Sequence, residues 1–162
     1  MVTTTLLDEV KDALASVMDP EIPAISIVDL GIVHDVRVDA DLIAVELLPT
    51  FVGCPALDTI KTAVEERMRP FGRRVEVAFT FVVPWTTERI TPAGREALRQ
   101  SGFAPPIVGR ASPGLVMLEQ PVDCPYCGSA RTVLENAFGP TQCRTIRYCT
   151  ACRQPFEQFK EL

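Results

Sequence analysis

The sequence is poor in histidine and in positive charge, and it contains no long apolar run. Its 16 Lys and Arg face 21 Asp and Glu, and the resulting net charge of −5 argues against broad electrostatic binding of nucleic acid, which needs clustered positive charge. No segment approaches the ~18 uninterrupted apolar residues of a transmembrane helix. We therefore expect no nucleic-acid partner and no insertion into a membrane.

The only histidine is His34, which alternates with valines on a predicted strand. We expect it to be a core or edge residue of a sheet rather than a catalytic base. Without a base to pair with a cysteine, the sequence argues against a Cys–His hydrolase.

A secretory signal is also missing, because there is no basic stretch at the start and Asp8, Glu9, Lys11 and Asp12 interrupt any apolar run. This predicts a cytoplasmic protein whose thiols stay reduced. Six cysteines in such a compartment indicate metal ligands or reactive thiols more often than disulfides. Hydrophobic residues make up 47% of the chain, which is ample material for a core.

Apolar periodicity predicts a small α/β (α+β) sandwich in the order α-β-β-α-β, followed by a third, short helix. The strand at 42–48 is apolar enough to be buried on both faces, and Val75, Val77, Phe79 and Phe81 should share one face of the last strand. The predicted ranges are a helix over about 5–18, an ordered loop over 19–31, strands over 32–38 and 42–48, a helix within 50–68, a strand over about 74–83, and a helix from Thr91-Pro92 to near Gly102.

Prolines and glycines after residue 102 indicate a boundary between two domains. Residues 103–121 are interrupted by four prolines, which predicts a Pro-rich linker. Its apolar residues 115–118 could still pack against the body. We therefore predict a domain over residues 1–102, a linker over 103–121 and a cysteine-rich module over 122–162.

Two Cys-x-x-Cys turns dominate the C-terminal module. Cys124 and Cys127 form the first, and Cys149 and Cys152 form the second after 21 intervening residues. Two such turns joined by a short hairpin complete a tetrahedral thiolate site. Because about forty residues cannot build much of a core, a metal would supply folding free energy on the order of ~10 kcal/mol. The spacing predicts a zinc-ribbon-like module with four cysteine ligands.

A fifth cysteine leaves the identity of the metal undecided between zinc and an iron–sulfur cluster. Cys143 lies six residues before Cys149. Zinc with Cys143 as a buried thiol is the simpler interpretation, and an iron–sulfur cluster with Cys143 as an extra, exchangeable ligand is the alternative. Residues 122–162 carry five basic and four acidic side chains, so we do not expect this ribbon to bind nucleic acid.

Cys54 stands apart from the other five cysteines. If Pro55 is the first residue of the following helix, Cys54 occupies the N-cap, where free N–H groups and the helix dipole favour a thiolate. Gly53 leaves the thiol approachable. Cys54 is therefore a candidate reactive thiol, and the alternative is a small apolar residue packed under the sheet.

Three acidic residues lie in the loop that precedes the first strand. Asp19, Glu21 and Asp29 could together help to hold a metal ion. Each one alone is more typical of a residue that caps a helix end or a turn.

Three motifs in order give the N-terminal half a family resemblance: DPEIP at 19–23, DLGIV at 29–33 and T-x-x-GCP at 50–55. This half resembles the small iron–sulfur assembly domain shared by bacterial SufT and the targeting subunit of the eukaryotic cytosolic assembly machinery. The resemblance implies that residues 1–102 form a SufT-like metal assembly domain. It matches Cys54 to the family's reactive cysteine and places Asp29, Thr50, Gly53 and Pro55 in the surrounding motifs.

When the rest of the chain is included, the full-length arrangement is similar to the PaaD family of phenylacetate degradation. This resemblance covers nearly all 162 residues. It is carried by PWTTERITPAGREALRQSGFAPP at 84–106, CPYCGS at 124–129 and FGPTQCRTIRYCTACRQPFEQFK at 138–160. The resemblance matches the four ribbon cysteines to the PaaD extension.

Membership of that family implies an accessory protein rather than an enzyme. Its role would be to mature or assemble the multicomponent phenylacetyl-CoA epoxidase by delivering iron or an iron–sulfur cluster to an oxygenase or reductase subunit. The alternative is a structural, non-catalytic subunit of the oxygenase complex. Homo-oligomerisation is left open.

Overall fold

The computed structural model describes residues 3–107 and 120–160. The chain divides into two compact units, Met1–Gly94 and Arg95–Leu162. The sequence pattern ends the first domain at residue 102, so the observed division falls eight residues earlier, within the third helix. Residues 108–119 of the predicted linker, including the apolar stretch 115–118, lie outside the described residues.

The first unit has the predicted order of elements and is a mixed α+β fold. β1 pairs antiparallel with β2, and β2 pairs parallel with β3, in the sheet order β1-β2-β3. The elements are α1 (Thr3–Leu14), β1 (Val33–Val38), β2 (Leu42–Leu47), α2 (Leu57–Met68), β3 (Arg74–Phe79) and the start of α3 (Pro92–Gln100), with 3₁₀ turns at Arg69–Phe71 and Thr87–Arg89.

Alternating and helical periodicities supply the core of this unit. One stripe of each helix and one face of β2 are buried, as their spacing in the sequence requires. The buried residues are Val10 and Leu14 of α1, Ile43, Val45 and Leu47 of β2, and Ile60, Val64 and Met68 of α2. Among the described residues, no helix is long and apolar enough to cross a lipid bilayer.

The first helix ends earlier than the sequence suggested. It stops at Leu14, and Met18 forms an isolated antiparallel bridge with Ser26. The carboxylate of Asp19 accepts hydrogen bonds from the backbone N–H groups of Glu21 and Ile22 at 2.9 and 2.8 Å. Asp19 therefore organises a turn over residues 19–22, beyond the end of the helix.

Two predictions about the strands were wrong. β2 is buried on one face only, because its residues alternate between buried and half-buried. β3 ends at Phe79, so Phe81 lies beyond the strand and is 65% exposed.

His34 is exposed on β1, an edge strand, beside a register shift between Val33 and Asp35.

The DLG motif is anchored by the segment that follows β3. The carbonyl oxygens of Asp29, Leu30 and Gly31 accept hydrogen bonds from Thr91 N, Trp85 Nε1 and Arg89 Nε at 2.9, 3.0 and 3.0 Å. Gly31 has φ +74°, and a Cβ atom there would lie 2.5 Å from the carbonyl oxygen of Arg89. Both the backbone conformation and the close approach therefore require glycine.

The second unit is a four-stranded sheet in the order β4-β7-β6-β5. β4 pairs parallel with β7, and the other neighbours are antiparallel. The strands are β4 (Phe103–Ala104), β5 (Thr132–Asn136), β6 (Arg144–Cys149) and β7 (Pro155–Phe159). β4 falls inside the segment for which we predicted a linker, so this part of the segment is an edge strand of the ribbon sheet.

Much of what the described part of the second unit buries is polar. Its apolar cluster is Ala104, Val122, Cys124, Cys149 and Phe156. Arg147 is 1% exposed, donates from Nε to Gln158 on β7, and has its pKa lowered by burial. Arg144 pairs with Glu157 at 2.9 Å and lies over the ring of Phe103. In the described part of this unit, five polar or charged side chains are therefore packed among the buried residues.

Candidate functional site

The two Cys-x-x-Cys turns have the same backbone geometry. In the first, Gly128 N donates to Cys124 O at 2.8 Å, and Cys124 N donates to Ser129 O at 3.0 Å. In the second, Arg153 N donates to Cys149 O at 2.8 Å, and Cys149 N donates to Gln154 O at 2.9 Å. Each pair of cysteines is thus folded back by equivalent hydrogen bonds, which turns both thiols of a pair toward one point.

Each turn closes through a residue with positive φ. Gly128 has φ +70° at this position in the first turn. The equivalent residue in the second turn is Arg153 with φ +60°, the one positive-φ residue other than glycine in the described part of the chain. A side chain in this left-handed conformation costs roughly 1–2 kcal/mol. The second turn is therefore strained where the first is not.

We expect Arg153→Gly to raise the free energy of unfolding of the second unit by roughly 1 kcal/mol, because glycine removes the strain of a positive φ. Unfolding of the metal-loaded protein in urea, followed by hydrogen exchange of residues 120–160, measures this. Gly128→Ala is the matched control and should be destabilising, since it introduces into the first turn the strain that the second already has. Equal stability of the two variants would contradict the assignment of strain to Arg153.

The four ribbon sulfurs form one compact group. All four Sγ atoms lie within 4.8 Å of one another, and the Cys124–Cys152 and Cys127–Cys149 pairs are each separated by 3.6 Å. None of the four is in a disulfide. A tetrahedral zinc ion with Zn–S bonds of about 2.3 Å places its ligands about 3.8 Å apart. The donor set and its spacing therefore fit a single four-coordinate ion.

The thiols of this group have different surroundings. The backbone N–H of Cys152 is the main cause that lowers the pKa of Cys149 to about 7. Burial raises the pKa of Cys152 to about 12 and also raises that of Cys124. A cation at the centre of the group would offset this burial penalty by stabilising the thiolates.

Cys143 is not part of the four-sulfur group. It precedes β6, whereas Cys149 ends that strand, and six residues of extended chain span about 20 Å. The Cys143 residue is 7% exposed, and its Sγ lies 3.1 Å from the hydroxyl oxygen of Thr141. The structure therefore does not bring this suggested extra ligand to the other cysteines.

Cys54 lies in a turn ahead of α2, and it is not the N-cap residue. The helix begins at Leu57 with Ala56 as its N-cap, so Pro55 is not the first helical residue. Leu57 N donates to Cys54 O at 3.3 Å, which adds a turn before the helix starts. The helix dipole acts mainly within the first turn, so its effect on Cys54 is weaker than the sequence suggested. The Cys54 residue is half-buried.

Of the motif residues that the resemblance placed around Cys54, Gly53 and Thr50 lie in its loop, whereas Asp29 is bonded elsewhere. Gly53 has φ +88°, which explains a glycine before the cysteine. Thr50 is half-buried in the same loop. The carboxylate of Asp29 instead accepts hydrogen bonds from Ser26 Oγ at 3.0 Å and Thr91 Oγ1 at 2.7 Å. These bonds give Asp29 the turn-stabilising role that was the simpler of its two interpretations.

Sequence reasoning missed the anchoring role of residues 85–91. Trp85, Arg89 and Thr91 hold the three carbonyl groups of the DLG motif, although they lie more than fifty residues away in the chain. The single tryptophan of the chain, between Pro84 and Thr86, was the one available signal, because a buried indole needs an acceptor for its N–H.

Comparisons with known proteins divide the chain in a similar way. Residues 7–79 match the family described as iron-sulfur cluster assembly protein, and residues 110–160 match the PaaD zinc beta ribbon domain. A domain of unknown function, DUF59, from Bacillus anthracis has a crystal structure that is similar to this chain with a TM-score of 0.54 and 28% identity, over 58% of this chain and 92% of that one.

Two curated relatives extend these matches. The chain is 32% identical to the Fe-S protein maturation auxiliary factor YitW of Bacillus subtilis (strain 168), over 57% of this chain and 93% of that protein. It is 37% identical to a protein of Escherichia coli (strain K12) that is named as a putative subunit of 1,2-phenylacetyl-CoA epoxidase, over 94% of this chain and 91% of that protein. With an iron–sulfur assembly domain followed by the PaaD zinc ribbon, the chain belongs to the PaaD family.

Proposed function

We propose that this protein is a non-catalytic maturation factor for a phenylacetyl-CoA epoxidase, to which it delivers iron or an iron–sulfur cluster. The observation that carries the proposal is the presence in one chain of a half-buried thiol, Cys54, within an iron–sulfur assembly domain and of a compact four-sulfur site in a PaaD ribbon. Relatives named as a maturation auxiliary factor and as an epoxidase subunit support the same role.

We propose that zinc is the resident metal of the ribbon, held by Cys124, Cys127, Cys149 and Cys152. In a four-iron cluster each cysteine binds a different iron, so its sulfurs lie farther apart than four ligands of one ion. The four sulfurs here lie within 4.8 Å, which favours a mononuclear ion. Zinc has no redox chemistry and supplies folding free energy to the segment that binds it.

In this proposal Cys54 handles the metal that is delivered. The thiol loses its proton to water, the thiolate coordinates the incoming iron or cluster, and ligand exchange passes it to side chains of the client subunit. No oxidation state changes in these steps, and no catalytic base is needed. The client is the oxygenase or the reductase of the epoxidase.

Replacement of Cys54 by Ser tests the role of this thiol. Epoxidase subunits co-expressed with Cys54→Ser should contain several-fold less iron than those co-expressed with the wild-type protein, because serine does not bind iron as a thiolate does. Iron analysis of the purified epoxidase measures this. Cys143→Ser is the matched control, since this buried thiol lies outside the four-sulfur group and the Cys54 loop. Full iron loading with Cys54→Ser would rule out the proposed thiol chemistry.

A structural subunit is the second candidate, and the name of the Escherichia coli relative favours it. In that case the protein would stay in a stoichiometric complex with the oxygenase, and Cys54→Ser would change neither the complex nor its iron content. The molar mass of the purified epoxidase, measured by light scattering, distinguishes a lasting component of the complex from a factor that leaves after maturation.

A further inference from the structure

Two loops leave the sheet of the first unit at the same edge. β2 and β3 are parallel neighbours, and their last residues, Leu47 and Phe79, are paired. The chain after β2 carries Cys54, and the chain after β3 begins with a hydrogen bond from Thr80 N to Leu47 O at 2.9 Å. Because the carboxyl ends of parallel strands lie side by side, both loops emerge together.

These loops expose large apolar side chains. Val52 is 83% exposed, Phe81 65% and Val82 85%; we call these three residues the apolar edge. The second loop is fixed at both ends, by the hydrogen bond of Thr80 and by the 4% exposed ring of Trp85. The fold therefore holds these side chains in solvent, although burial of each would be favourable by roughly 1.5–3 kcal/mol.

The apolar edge has no charged neighbours along the chain. Residues 47–57 and 79–87 contain no Asp, Glu, Lys or Arg, in a chain of which 23% is charged. A charged partner surface placed here would lose water without gaining a counter-charge, which is unfavourable. The surface is therefore complementary to an uncharged, apolar one.

We propose that the apolar edge is the docking surface for an uncharged, apolar segment of the client subunit that receives metal from Cys54. This inference rests on the proposed function and adds how the client is recognised. Docking at this edge brings the client to the loop that contains the thiol. Because Val52 lies two residues before Cys54, a client bound at this edge is close to the proposed reactive thiol.

A charge introduced at the apolar edge should weaken binding of the client. The test is titration calorimetry of the full-length protein into purified, metal-free oxygenase and reductase subunits of the epoxidase. The double variant Val52→Asp, Val82→Asp should bind its client at least about tenfold more weakly, as expected for buried positions of an interface. The matched control is Phe138→Asp in the second unit, where the residue replaced is 74% exposed, and it should bind within about twofold of wild type.

Cys54→Ser, titrated in parallel, separates docking from delivery and should bind as well as wild type. Unchanged affinity of the double variant would overturn the docking surface and leave the proposed thiol chemistry standing. Normal iron loading with Cys54→Ser, together with weak binding by the double variant, would overturn the thiol chemistry alone. If light scattering finds a wild-type dimer that the double variant dissociates, with client binding unchanged, a second copy occupies this edge and the proposal is wrong.

Discussion

Removal of the proposed zinc ion from the ribbon is expected to unfold residues 120–160 in the full-length protein while residues 3–94 keep their structure. Among the described residues of the second unit, the apolar cluster around the cysteines is Ala104, Val122, Cys124, Cys149 and Phe156. This unit also buries two arginines, two threonines and a glutamine. Structural zinc contributes about 10–16 kcal/mol to the folding of small metal-binding segments at neutral pH, so its loss should unfold this one.

Hydrogen exchange before and after chelation measures this effect. Protection of the β6 and β7 amides should be lost on chelation and regained with added zinc, whereas protection of β2 should not change. Cys149→Ser should reproduce the loss, because it removes one of the four proposed ligands, and Cys143→Ser should still bind one zinc per chain. A ribbon that keeps its protection without metal would refute the role assigned to the four cysteines.

The ribbon could be predicted from sequence because its information is local. Two Cys-x-x-Cys turns need only a hairpin between them to meet, and the structure brings their sulfurs together. Cys143 shows where spacing stops being informative. Cys143 is far from the four sulfurs because the chain between Cys143 and Cys149 is the extended strand β6. The number of intervening residues alone does not show whether that chain is extended.

The first unit was predictable in its order of elements and less so at their boundaries. Apolar periodicity gives α1, α2 and the three strands, but it does not show that α1 ends at Leu14 or that α2 begins at Leu57, because turns follow the first helix and precede the second. The placement of Cys54 at a helix N-cap depended on such a boundary. The short strand β4 was missed because two residues carry no periodicity, and it forms only because β7 offers a free edge.

The role of the DLG motif could not be predicted, because its partners are distant in sequence. A resemblance placed Asp29 among the residues around the thiol, whereas its carboxylate and the following carbonyls bind residues 85–91. Trp85 is central to this contact. Its ring is 4% exposed, and its Nε1–H donates to Leu30 O at 3.0 Å.

We therefore expect Trp85→Ala to lower the free energy of unfolding of the first unit by roughly 3–5 kcal/mol, as for other buried aromatic residues. Part of that loss comes from the carbonyl of Leu30, whose partner is removed. Trp85→Phe keeps most of the ring volume and should cost less, roughly 1–2 kcal/mol for the missing hydrogen bond. Because Trp85 is the only tryptophan, urea unfolding is followed by circular dichroism rather than by fluorescence.

Phe81→Ala is the control for this comparison, since its side chain is 65% exposed and its loss should change stability by less than about 0.5 kcal/mol. Trp85→Ala should also weaken client binding, because it releases one end of the loop that displays Phe81 and Val82. Phe81→Ala should weaken client binding without a loss of stability. If Trp85→Ala proved as stable as wild type, residues 85–91 would not anchor the DLG motif, and the fixed display of the apolar edge would lose its physical basis.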